Sequence, residues 1–133
     1  MTESRDNQNY TGYLDDGRAI YIPAWGARQA MTNLTKITKI LGEQDVFAIA
    51  EDNAGIAMVS LMAAFSAEEP DMATNLLCDF VCAARVDGEK IMPGHYEALF
   101  TGNLFGAVEI FAKVVHAQYS SFFVSGLAKV NSQ

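Results

Sequence analysis

Three features of the sequence predict a mainly α, single-domain helical bundle of four to six helices with a short N-terminal antiparallel β-hairpin. Apolar residues recur at spacings of three and four through most of the chain. One Asp-Gly step near the start lies between two short runs rich in Tyr and Ile. The 133 residues, 50% of them hydrophobic, suffice for one ordinary core, and no repeat, low-complexity tract or linker divides them. The expected organisation is a flexible segment at residues 1–9 and a single domain over residues 10–133.

The hairpin comes first. Tyr10 to Leu14 and Arg18 to Ile22 suit a pleated surface, and Asp15-Asp16-Gly17 supplies the positive φ of a tight turn. Pro23 closes the second strand. Ala27, Ala30, Met31, Leu34, Ile37 and Leu41 then mark a helix from about 24 to 41, ended by Gly42, with Lys36 and Lys39 near its negative end. Val46, Phe47, Ile49 and Ala50 suggest a short helix stopped by Glu51-Asp52-Asn53. From Ala54 to Phe65 the apolar stripe is wide: Ile56, Val59, Met62 and Ala63 share one face, flanked by Ala57, Met58 and Leu61, which predicts a largely buried helix.

Ser66-Ala67-Glu68-Glu69 has the form of a capping box for a helix with Pro70 and Asp71 in its first turn. That helix continues through Leu76, Leu77, Phe80 and Val81 to a turn at Val86-Asp87-Gly88-Glu89, where Lys90 to Met92 can pair with Arg85 and Val86. Pro93-Gly94 breaks the chain, and His95 to Phe100 reads as one or two helical turns. Thr101-Gly102-Asn103 then leads into a last helix from Leu104 to about Ser125, carrying Ala107, Val108, Phe111, Val114, Val115, Phe122 and Phe123. A helix so apolar all round either sits centrally or covers another chain.

Charge limits the function. With 9 Lys plus Arg against 16 Asp plus Glu, the net charge is -7, so nucleic acid is excluded as a partner. No apolar run reaches the roughly 18 residues of a membrane span, and the polar N-terminus has no signal-peptide core. From Gly17 to Gly42 the chain carries four cations and no anion; from Glu43 to Ala84 it carries eight anions and no cation. The acidic block is either a solvated surface or a face that steers a basic partner.

Little in the sequence points to chemistry. Cys78 and Cys82 lie four apart on a helix, but zinc needs four ligands and the histidines, His95 and His116, come from other elements. Two reduced, small core residues in a cytosolic protein are the better reading. Asp15-Asp16-Gly17 begins like a calcium loop, yet Ile20, Ile22 and Trp25 stand where oxygen ligands belong. Gly102 to Gly106 precedes a helix without the Lys of a phosphate loop. His116 reads as a partly buried, hydrogen-bonded residue. No catalytic, cofactor-binding or metal residue is assigned, and no enzyme is expected. Aromatics carry the remaining signal: Tyr119, Phe122 and Phe123 lie past the most regular part of the last helix and are the candidate partner-binding residues.

The order of these segments resembles a family of small tail assembly chaperones of tailed bacteriophages. The opening is carried by Ile22-Pro23-Ala24, Ala27-Arg28-Gln29-Ala30 and Lys36 to Gly42; the ending by Leu76-Leu77, Val81, Val86 to Lys90, His95-Tyr96, Phe100-Thr101-Gly102-Asn103-Leu104, Val114-Val115 and Tyr119 to Phe123. The match spans about residues 10–125 and departs at Tyr119, near a position where the family often carries Asn. The resemblance implies a non-enzymatic protein of the host bacterial cytoplasm that needs no cofactor. It would bind the tape measure protein before the tail tube polymerises, with self-association and the tail tube protein as further partner readings. A small structural subunit of a phage tail or baseplate is the alternative.

Overall fold

The computed structural model describes residues 4–6, 9–66, 70–92 and 98–131. Strands β1 (Ser4–Asp6), β2 (Asn9–Tyr13) and β3 (Ala19–Ile22) lead into α1 (Ala27–Leu41), α2 (Glu43–Ile49), α3 (Ala54–Phe65) and α4 (Pro70–Val81). Strands β4 (Arg85–Val86) and β5 (Glu89–Lys90) follow, then the long helix α5 (Leu104–Asn131). The fold is mainly helical, as the sequence predicts.

The hairpin turns where expected. Leu14 accepts from the Gly17 N–H at 2.9 Å and donates to the Arg18 carbonyl at 2.9 Å. Gly17 takes φ 92°, which a side chain would strain. Asp16 accepts from the Arg18 backbone N–H at 3.1 Å and from its Nε at 2.8 Å. The backbone bond above all holds this carboxyl below its usual range.

The sheet is larger than one hairpin. Among the described residues it has five short strands in the order β1-β2-β3-β4-β5, each antiparallel to its neighbour. Ser4–Asp6, in the segment expected to be flexible, pairs with β2 through Ser4↔Thr11 and Asp6↔Asn9. An outermost strand needs only a backbone ladder on one side, so a polar sequence can supply it. On the other side, Ile20↔Val86 and Tyr21↔Arg85 join β3 to β4 after four helices have intervened. Asp87 seals this junction: its N–H donates to the Ala19 carbonyl at 2.8 Å, and its carboxylate accepts from the Ala19 N–H at 3.0 Å. Asp87 (φ 51°) and Gly88 (φ 84°) make the tight β4–β5 turn. One face, with Tyr10, Ile20, Ile22 and Val86, is buried.

Helix α1 starts three residues later than expected because its approach is held elsewhere. The Ala24 N–H donates to Asn9 Oδ1 at 2.8 Å and the Trp25 N–H to Gln118 Oε1 at 3.0 Å, which keeps both residues out of the helix. At the far end Gly42 (φ 94°) returns its N–H to Thr38 and stops α1. Asn53 caps α3 by accepting from the Ile56 N–H at 3.0 Å. Ser66 ends α3, its hydroxyl donating to the Met62 carbonyl at 3.0 Å; the rest of the expected capping box, at 67–69, lies outside the described residues. So does the first half of the turn expected at His95 to Phe100, of which residues 98–100 are helical.

Helix α5 runs through the centre. From Ala107 to Tyr119 it buries Val108, Ile110, Phe111, Val114 and Val115, packing on α2, α3 and α4. The hairpin covers its other side: the Tyr10 ring meets His116 edge-on at 5.7 Å, and Glu109 accepts from the Asp15 N–H at 2.7 Å. The helix continues six residues past the expected end, because Gly126 is tolerated within it and good helix formers follow.

Candidate functional site

The three aromatic candidates at the end of α5 part company. Tyr119 is 2% exposed, and its hydroxyl donates to the Ala30 carbonyl at 2.8 Å. Burial lifts its phenol well above the ordinary range. Its neighbour Gln118 bridges the same region, accepting from Trp25 and donating to the Pro23 carbonyl at 2.9 Å. Exposure was expected at Tyr119 and is not found: the side chain ties α5 to α1, because the last turn still inside the core ends there. Phe122, in contrast, is 53% exposed, and Val124 is exposed beside it. Phe123 is half-buried and stacks obliquely between Phe47 of α2 (5.3 Å) and Phe122 (5.4 Å). The row Phe47-Phe123-Phe122 therefore runs from the core edge into solvent where α5 emerges from the bundle.

A second apolar surface lies on α3, which is less buried than expected: of the predicted stripe Ala57 and Leu61 are buried and Ile56 partly so, but the rest is exposed. The buried residues are Ala57, Ser60, Leu61 and Ala64; Val59 (64%), Met62 (60%), Met58 and Phe65 face outward. Small side chains let α3 approach its neighbours closely, and Ser60 satisfies its hydroxyl by donating to Asp45 Oδ2 of α2 at 2.6 Å. The one hydroxyl of the helix thus points in, while Met58, Val59, Met62 and Phe65 point out. The spacing of Ala57, Ser60, Leu61 and Ala64 marks the packing face; hydrophobicity alone does not separate it from the outer one.

The acidic block frames this surface. Helices α2 and α4 flank α3. Glu43, Glu51 and Asp71 are exposed on these flanking elements, while Asp79 of α4 lies along the groove lined by Cys78 and Cys82. Within the acidic block, Asp52 pairs with Lys113 of α5 at 3.0 Å. His116 fulfils its expected role, donating from Nδ1 to the Ala50 carbonyl at 2.8 Å.

Cys78, Cys82 and the Gly102 to Gly106 stretch have structural surroundings, and His95 lies outside the described residues. Cys78 and Cys82 are half-buried rather than core residues: their sulfurs lie 4.0 Å apart along a groove of about 560 Å³ shared with Trp25, Arg85 and Lys90. Burial, then Cys78, pushes the Cys82 thiol up to about 11, so it is protonated at neutral pH and a weak nucleophile. Among the described residues, no three of His, Cys, Asp and Glu converge in a metal-binding arrangement. At the α5 entrance Gly102 takes φ 80° and Asn103 Oδ1 accepts from the Gly106 N–H at 3.3 Å. A Cβ on Gly106 would lie 2.6 Å from Asn103 Nδ2, so this glycine-rich stretch serves helix capping. No helix of the described residues is long and apolar enough to cross a membrane.

A family model described as phage tail assembly chaperone protein, TAC, matches residues 16–129. The chain belongs to the phage tail assembly chaperone family. The match runs from the Asp16-Gly17 turn into the last turns of α5, so both apolar surfaces of this chaperone lie inside it. No curated protein and no solved structure matches the chain.

Proposed function

We propose that this chaperone holds the tape measure protein of its phage in the host bacterial cytoplasm, before the tail tube polymerises around that protein, and that it does so without catalysis. The observation that carries this reading is the exposed ring of Phe122, held by Phe123 and Phe47 where α5 leaves the core. A long helical protein awaiting its tube presents apolar stripes that aggregate, and aromatic side chains on a rigid helix cover such stripes at low entropic cost. Release requires modest contacts spread over more than one surface.

Co-expression of the full chain with the tape measure protein tests the proposal. Phe122→Ala should weaken co-purification by about tenfold or more while the melting temperature stays within a degree or so of wild type. The protein should also be missing from purified virions; its presence there at fixed stoichiometry would mean a structural subunit of the tail or baseplate instead.

A further inference from the structure

Among the described residues, nothing covers the outward face of α3. Met58, Val59, Met62 and Phe65 recur at helical spacing, and no charged residue occurs between Ala54 and Phe65. Two of the helices that pack on α3 carry only negative charges among their described residues: α2, with the turn after it, has exposed Glu43 and Glu51, and α4 has exposed Asp71, while the cations Lys36 and Lys39 lie on α1, a third neighbour. Asp52, in the α2–α3 turn, is paired with Lys113 of α5.

The charge pattern decides between occupants. Two copies of the chain meeting through α3 would bring these carboxylates together, and like charges at an interface rim oppose association. A helix bearing an apolar stripe and Lys or Arg on its flanks would bury the same side chains and neutralise the rim. Methionine adds tolerance, because its flexible thioether adapts to stripes of different shape. We infer that the exposed face of α3 is a docking surface for an amphipathic helix with basic flanks. The inference rests on the proposed function, for which it supplies a second contact and the partner segment's chemistry.

The test uses the full chain and two labelled synthetic helices with one shared Leu/Ile stripe, flanked by Lys in one and by Glu in the other. By fluorescence anisotropy at about 50 mM salt, the Lys-flanked helix should bind about tenfold tighter or more, and at about 500 mM salt the gap should shrink to about threefold or less. The pair Val59→Ser with Met62→Ser, both exposed, should weaken binding by about tenfold with an unchanged circular dichroism spectrum. Glu51→Lys with Asp71→Lys should invert the preference while the stripe stays intact. Equal binding of the two helices at low salt, or wild-type binding by the Val59/Met62 variant, would overturn the inference. So would a wild-type dimer that this variant converts to a monomer, since a second copy would then cover the face.

Co-purification separates the two readings. If the tape measure protein is retained equally by wild type and by the Val59/Met62 variant, the α3 surface is wrong and the proposed function stands. If wild type binds the Lys-flanked helix through α3 but never retains the tape measure protein, the surface stands and the proposed partner is wrong.

Discussion

Helices α3 and α5 are both apolar on nearly every side, yet α5 is enclosed from Ala107 to Tyr119 while α3 leaves half its circumference in solvent. The difference lies in what stands on the far side. Helices α2, α3 and α4 flank α5, and the β2–β3 hairpin closes over it through Tyr10 and Asp15. For α3 the neighbours α1, α2, α4 and α5 leave Ala57, Ser60, Leu61 and Ala64 buried and the opposite side open. An all-round apolar helix is therefore central only when the fold has a layer to spare for its outer face. Where no such layer exists, the exposed side is available to a partner.

Truncations on the two helices should separate this most strongly. Phe111→Ala, in the enclosed stretch, should cost about 3 to 5 kcal/mol by urea denaturation, whereas Val59→Ser on the outer face of α3 should stay within about 0.5 kcal/mol. Similar losses at both positions would mean that α3 is covered after all. A finer division runs within α5. Tyr119→Phe removes the bond to Ala30 and should cost about 1 kcal/mol while leaving partner retention intact. A loss of retention without a loss of stability would return Tyr119 to the binding surface.

The smallest effect concerns Glu109, the carboxylate on the enclosed helix. Burial raises its pKa above the ordinary 4.5, against the bond it accepts from Asp15. The folded chain thus favours the protonated form; this contribution is complete below the ordinary pKa and is lost as pH rises through the raised one. Glu109→Gln keeps an acceptor for the Asp15 N–H and removes the charge. Its melting temperature should exceed wild type by up to about 2 °C near neutral pH, with the gap closing on acidification to about pH 4. A gap that widens in acid would show that the charged carboxylate is the stabilising form.

Local signals carried most of the fold into the sequence. Asp15-Asp16-Gly17, Gly42, Asn53 and Gly102-Asn103 each act within a few residues, and each marks a boundary that the structure keeps. The β3–β4 ladder left no comparable trace, because strands of two residues have no periodicity and their pairing depends on the packing of the helices between them. The face of α3 misleads for a different reason: apolar residues occupy both sides of the helix, and the buried side is the one that holds Ser60, with Ala57, Leu61 and Ala64, so hydrophobicity alone does not distinguish the two. At the end of α5 the aromatic cluster was visible, but one helical turn separates Tyr119 inside from Phe122 outside, and a list of aromatics does not say where the core ends.

The Asp87 seal on Ala19 has a consequence for the order of folding. It joins residues 68 apart, and everything from α1 to α4 lies in the loop it closes. Closing so long a loop before its contents compact would sacrifice chain entropy for two hydrogen bonds, whereas the β2–β3 hairpin closes locally. The sheet is therefore completed late, after the helices have collapsed. On a ribosome, the N-terminal hairpin must wait with one edge unpaired until residues 85–90 emerge.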